Sequence, residues 1–89
     1  MEIEHHLIVG NKVGMHLRAA SKIVSLLRDF DCEVEIHFNG RIANAKSIMS
    51  ITQLVAPLGS ELLLKASGPD ARRAALALDK LFRDKFGEE

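Results

Sequence analysis

The chain has 89 residues, of which 47% are hydrophobic and 27% charged, as expected for one globular domain spanning residues 1–89. Twelve Lys and Arg balance twelve Asp and Glu, and the only aromatic residues are four Phe, a composition that disfavours a nucleic-acid binder or a binder of anionic membranes. The single cysteine, Cys32, excludes an internal disulfide and is expected to be a small buried hydrophobe.

The first half of the chain predicts three strands and one helix. A strand is predicted over Ile3 to Val9, and a helix over about Leu17 to Arg28, where apolar residues recur at helical spacing. Strict alternation of apolar and polar residues predicts a strand over Cys32 to Phe38 with one solvent-exposed face. Asn39-Gly40 indicates a type I′ hairpin turn that leads into a returning strand, Arg41 to Ala45.

The second half predicts two helices around a strand. Ser47 is a favoured N-cap for a short helix, and Glu61 to Ser67 alternates as a strand. Asp70 is a candidate N-cap for the last helix, which Gly87 is expected to end. The inward residues of the two helices are predicted to be Ile48, Ile51, Leu54 and Val55, and then Ala71, Ala74, Ala75, Leu78, Leu81 and Phe82.

The element order is therefore β-α-β-β-α-β-α, which favours an α+β fold with helices packed on one face of an antiparallel sheet. The sequence has no stretch typical of a linker between domains. It has no visible signal peptide and no apolar run long enough to span a bilayer, so we expect a cytoplasmic protein without membrane insertion.

Of the four histidines, His16 lies in the most informative position. His5 and His6 are neighbours on a strand and point to opposite faces, and His37 is on a wet face, so no metal site is expected. His16 precedes a helix, where unpaired backbone N–H groups and the helix dipole favour an anion such as phosphate. Arg18 could bind a phosphoryl oxygen and a neutral imidazole is a competent nucleophile, although a surface histidine near a helix start would look the same.

Ser47 has two possible roles, and the residues around it do not distinguish between them. An N-cap role explains it fully, and phosphorylation at a helix N-terminus would be compatible with the fold. Met49 lies off the inward stripe of that helix and is a candidate soft contact for a partner.

Two segments together resemble the HPr family, the histidine-containing phosphocarriers of the bacterial phosphoenolpyruvate-dependent phosphotransferase system. The segment from Gly14 to Ala20, GMHLRAA, is similar to the active-site motif G-(L/I)-H-A-R-P-A, and Asn44 to Met49, NAKSIM, matches the regulatory-serine motif. The spacing between them is the family's spacing. The resemblance implies an open-faced β-sandwich, with a four-stranded antiparallel sheet and three helices on one face.

The resemblance also implies a role for each matched residue. His16 would accept a phosphoryl group on Nδ1 from phosphorylated Enzyme I and pass it to an EIIA- or EIIB-type acceptor, without a cofactor. Arg18 would neutralise phosphoryl oxygens, and the amides of Leu17 and Arg18 would cradle them. The chain would thus be a carrier with a covalent intermediate rather than an enzyme, and we expect it to be a monomer.

The resemblance further implies a docking surface formed by Met15, Leu17, Ile48, Met49 and Ile51. Ser47 would be the target of an HPr kinase/phosphorylase, whose product would affect partner docking and engage a transcription regulator.

Leu17 and Ala19 depart from the family motif, which has a small residue and proline there, and Ser50 alters the docking surface slightly. Two alternatives therefore stay open: a regulatory, nitrogen-type paralogue, and a binding module that keeps the fold, has lost phosphotransfer and acts through Ser47.

Overall fold

The computed structural model describes residues 2–88. Its elements follow the predicted order, and the bounds of the four strands and of α1 agree with the predicted ones to within one residue. They are β1 (Glu2–Ile8), α1 (Leu17–Leu27), β2 (Glu33–Phe38), β3 (Arg41–Asn44), α2 (Ile48–Thr52), β4 (Glu61–Ser67), α3 (Ala71–Arg83) and a final 3₁₀ turn (Lys85–Gly87).

The four strands form one antiparallel sheet in the order β1-β4-β2-β3. The first strand of the chain therefore pairs with the last, with Leu7 opposite Leu62, and β4 lies between β1 and β2. The apolar face of the sheet carries the fully buried Leu62, Leu64 and Ile36 against the helices. This is the open-faced β-sandwich, so the predicted fold class is confirmed.

The β2–β3 hairpin has the predicted turn. Asn39 and Gly40 both have positive φ, 54° and 81°, as a type I′ turn requires. Strand β2 alternates as expected: Val34 and Ile36 are buried, whereas Glu33 and Glu35 are exposed. The sequence period and the turn residues therefore determine this part of the sheet locally.

Val55 was predicted to face inward, and this is wrong. The side chain is 69% exposed and the residue has a φ of 54°. Helix α2 ends at Thr52, so the helical period that places Ile51 in the core does not extend to residue 55.

Two predicted helix-end roles also differ. Asp70 occupies the N-cap position of α3 but makes no side-chain capping bond; its carboxylate accepts the Asp31 N–H at 2.7 Å and an Arg73 N–H at 3.0 Å. Helix α3 ends at Arg83 rather than beside Gly87, because Lys85 and Phe86 both take positive φ. This bend turns the buried Phe86 back into the core.

Candidate functional site

The loop before α1 is held tightly against the segment that follows α2. The Met15 N–H donates to the Ala56 carbonyl at 2.9 Å. Gly14 has a φ of +80°, and a Cβ at this position would lie 2.7 Å from the same carbonyl oxygen. Only glycine combines this conformation with such a close backbone approach. The loop therefore delivers His16 to the start of α1 at a fixed place.

His16 is the N-cap residue of α1, as its position in the sequence predicted. Its backbone is extended, and its carbonyl accepts the first helical hydrogen bond, from the Ala20 N–H at 3.0 Å. The ring nitrogen Nδ1 accepts the Arg18 backbone N–H at 3.1 Å. Nδ1 is therefore the unprotonated nitrogen, and its lone pair faces the N–H groups of the first helical turn.

The other ring nitrogen contacts a carboxylate from the far end of the chain. Nε2 of His16 lies 2.6 Å from Oε2 of Glu88. Since Nδ1 accepts a hydrogen bond, we assign the ring proton to Nε2, which donates it to Glu88. The two contacts together specify one tautomer and one ring orientation.

Glu88 is held in turn by Asn11, which is fully buried beneath the site. The Asn11 amide donates from Nδ2 to Oε1 of Glu88 at 3.2 Å and to the Gly14 carbonyl at 2.7 Å. Burial works to raise the pKa of the Glu88 carboxyl, but hydrogen bonds from His16 and Asn11 outweigh it and hold that pKa below the usual 4.5. Glu88 is therefore a carboxylate at neutral pH.

The segment that carries Glu88 is anchored by Phe86. This side chain is 1% exposed and packs edge-on against Phe82, with ring centroids 4.8 Å apart. Its carbonyl accepts a hydrogen bond from the Lys22 ammonium of α1. The chain end is thus tied to the helix that His16 caps.

Arg18 and Leu17 are both exposed beside His16. Within residues 2–88 the Arg18 guanidinium has no ion-pair or hydrogen-bond partner, and Leu17 is 66% exposed. A guanidinium next to a half-buried imidazole and free helix amides can bind the oxygens of a phosphoryl group.

The predicted docking residues divide into two groups. Met49 is 71% exposed and Ile48 is half-buried, so both are accessible to a partner, as Leu17 is. For Met15 and Ile51 the prediction of direct docking is wrong, because they are 5% and 0% exposed. The hydrogen bond to Ala56 draws Met15 into the core, and Ile51 lies on the inward face of α2.

Ser47 is the N-cap of α2. Its hydroxyl oxygen accepts the Ser50 N–H at 3.3 Å, so the capping interpretation is confirmed. Helices α1 and α2 pack against each other; His16 caps the start of the first and Ser47 the start of the second.

His5 and His37 pair with carboxylates, and the cysteine is part of the core. His5 pairs with Asp79 of α3 at 2.8 Å, and His37 pairs with the exposed Glu35 at 2.9 Å. Cys32 is buried, and burial raises the pKa of its thiol. Among residues 2–88 no cluster of His, Cys, Asp or Glu could hold a metal ion, and no helix is long and apolar enough to cross a membrane.

The sequence reasoning missed Asn11 and Glu88. Neither residue belongs to a periodic pattern or to a matched motif, so the sequence alone does not single them out. The one available signal was Phe86, an apolar residue beyond the end of α3 that needed a buried site.

Comparison with known proteins shows which family the chain resembles. A family model described as "PTS HPr component phosphorylation site" matches residues 3–84. The phosphocarrier protein HPr of Xylella fastidiosa is 39% identical over 87 residues, 98% of each chain, and that of Cupriavidus necator is 42% identical over 78 residues, 88% of each. A crystal structure of HPr from Thermoanaerobacter tengcongensis superimposes with a TM-score of 0.92 at 36% identity, covering 98% of each chain.

Proposed function

The chain belongs to the HPr family of the phosphotransferase system, and on that premise we propose that His16 carries the phosphoryl group, on Nδ1. The observation that carries this proposal is the 3.1 Å contact between Nδ1 and the Arg18 N–H. It identifies Nδ1 as the nitrogen with a free electron pair, and it directs that pair toward a helix start that favours phosphate.

Phosphoryl transfer to this nitrogen needs little movement. The Nδ1 electron pair attacks the phosphorus of a phosphohistidine on Enzyme I, and the bond from phosphorus to the donor nitrogen breaks. The Arg18 N–H then donates to a phosphoryl oxygen instead of to the ring. The unpaired Arg18 guanidinium neutralises the remaining charge, and Leu17 contributes a second free amide.

Onward transfer takes the group to a histidine or cysteine on an EIIA- or EIIB-type acceptor. The exposed Leu17 and Met49, with the half-buried Ile48, form the apolar contact surface for these successive partners. The carrier acts as a monomer, because each partner must reach the same open face. It acts in the cytoplasm and without a cofactor.

Ser47 is the proposed regulatory site. A kinase that phosphorylates it would place a dianion at the start of α2, beside Ile48 and Met49, and this charge would repel an acidic partner and could recruit a transcription regulator. Two features favour a regulatory paralogue as the second candidate within the family. Leu17 adds exposed apolar bulk next to the nucleophile, and Ala19 replaces proline in the first turn.

Incubation with phosphoenolpyruvate and Enzyme I tests the proposal. The wild-type protein should gain an acid-labile, alkali-stable label that the His16→Ala variant lacks. Arg18→Ala should be labelled more slowly. A folded wild-type protein that takes no label from its cognate Enzyme I would shift the assignment to a binding module acting through Ser47.

A further inference from the structure

Among residues 2–88, the side chain of Glu88 lies outside the family motifs and yet contacts the proposed nucleophile directly. Glu88 reaches Nε2 of His16 from 72 positions away in the chain, at 2.6 Å. The carboxylate is only 16% exposed, and the imidazole 23%. A charge-assisted hydrogen bond in such a sheltered place is stronger than one between exposed side chains.

We propose that Glu88 is a positioning residue for His16, which fixes the ring tautomer and stabilises the charge that the ring gains on phosphorylation. The proposal rests on the phosphocarrier function above and deepens it. Glu88 does not touch the transferred group; it acts through the far nitrogen of the ring.

The first part of this role concerns the resting state. An imidazole can carry its proton on either nitrogen, and only the Nε2–H form leaves an electron pair on Nδ1. Glu88 accepts a hydrogen bond from Nε2, and the Arg18 N–H donates to Nδ1, so both contacts select the same form. Asn11 holds the carboxylate in line by donating to its other oxygen.

The second part concerns the phosphorylated ring. When Nδ1 forms its bond to phosphorus, the donor nitrogen takes back the electron pair of the broken bond. The His16 ring keeps the proton on Nε2 and becomes positively charged. Glu88 then pairs with a cation, as the buried carboxylate of a serine-protease triad does with its imidazolium. A ring that keeps this proton is also the better leaving group when the phosphoryl group moves on.

The structure around Glu88 indicates a built contact rather than a chance one. Asn11 is completely buried, and its amide nitrogen donates one hydrogen bond to Glu88 and one to the Gly14 carbonyl. Phe86, two residues before Glu88, is locked in the core in a left-handed conformation. These features fix the carboxylate at the ring.

Two variants separate orientation from charge. Glu88→Gln keeps an oxygen that can accept from Nε2 but removes the charge, and Glu88→Ala removes both. Glu35→Gln is the matched control, because Glu35 makes the same kind of contact, to Nε2 of His37 at 2.9 Å, on the open face of the sheet. Unfolding midpoints are measured for all three to confirm that each variant is folded.

Nitrogen-15 NMR of the unphosphorylated ring reads the tautomer directly. The wild type and Glu88→Gln should show mainly the Nε2–H form at His16, whereas Glu88→Ala should show a mixture. In steady-state labelling from phosphorylated Enzyme I, Glu88→Gln should lower kcat by roughly tenfold with little change in KM. Glu35→Gln should match the wild type in both measurements.

An unchanged or higher kcat in Glu88→Gln would overturn the charge-stabilising role, and an unchanged tautomer in Glu88→Ala would overturn the orienting role. A wild-type protein that takes no label would instead refute the proposed function. The NMR comparison would still decide the tautomer in that case, because it needs no phosphorylation.

Discussion

The backbone N–H of Arg18 lies 3.1 Å from Nδ1 of His16, so the imidazole caps the helix with the atom that we propose as the nucleophile. Capping satisfies one of the donors that a helix start leaves free. A phosphoryl group on Nδ1 can accept the same N–H and replace the ring as the cap. On this proposal, phosphorylation would exchange one acceptor for another at the start of α1 and would leave the fold intact.

Gly14→Ala should destabilise the protein and displace His16. The new Cβ would lie 2.7 Å from the Ala56 carbonyl oxygen and 3.0 Å from Pro57 Cα, at a φ of +80°. We expect a loss of more than about 2 kcal/mol in the free energy of unfolding, measured with urea.

Gly40→Ala is the matched control for this prediction. Gly40 has nearly the same φ, +81°, but nothing lies within 4 Å of its added Cβ. It should lose only about 1 kcal/mol from backbone strain. Equal losses at the two positions would show that the approach to Ala56 is not the constraint.

Ala19→Pro should stabilise the protein by about 0.4–1 kcal/mol, because proline restricts the unfolded chain. The first helical hydrogen bond runs from the Ala20 N–H to the His16 carbonyl, so a proline one residue earlier removes none. Denaturant unfolding measures the difference. A clear loss of stability would mean that the fully buried Ala19 site cannot accept the ring.

Ser47→Asp should slow phosphoryl transfer from Enzyme I, because the added charge lies at the start of α2, next to the exposed Met49. Asn and Asp are both good N-caps, so Ser47→Asn is a neutral control of similar size and capping strength. Transfer rates of the two variants are compared at low salt. Equal rates would argue against electrostatic regulation through this position.

Asp79→Asn should reduce the amount of unfolding free energy that the protein loses when the pH is lowered. The hydrogen bond from His5 lowers the pKa of the Asp79 carboxyl below its ordinary 3.8. Burial acts in the opposite direction and raises this pKa, and the Arg83 charge adds a smaller lowering. A lowered pKa in the folded state adds stability above pH 3.8, and this is lost as the pH falls through the lower folded value.

Urea unfolding at a series of pH values, from neutral to below 3.8, measures this pH-dependent contribution. Asp84→Asn is the control, since Asp84 is exposed at the end of the same helix. The wild type and Asp84→Asn should lose stability in parallel on acidification, and Asp79→Asn should lose less. Three parallel curves would show that the His5–Asp79 pair makes no pH-dependent contribution.

The features that could be predicted from sequence are those encoded locally. The alternation in β2, the Asn39-Gly40 turn and the position of His16 before α1 all depend on neighbouring residues. Several of the errors concern long-range contacts. Neighbour patterns do not reveal that Asp70 bonds to the Asp31 N–H or that Glu88 reaches His16.

The burial of Met15 and Ile51 was missed for a related reason. A motif shared with a family shows which residues belong to a site, but only tertiary packing shows which of them face solvent. Met15 is adjacent to the nucleophile in sequence, yet its hydrogen bond to Ala56 turns it into the core.

The most direct test of the central proposal is to identify the phosphorylated atom. Phosphorus-31 and nitrogen-15 NMR of the protein labelled by Enzyme I resolves the position on the ring and the histidine that bears it. The structure predicts a single phosphorylated nitrogen, Nδ1 of His16, with the proton retained on Nε2. A phosphoryl group on Nε2, or on His5, His6 or His37, would contradict the account.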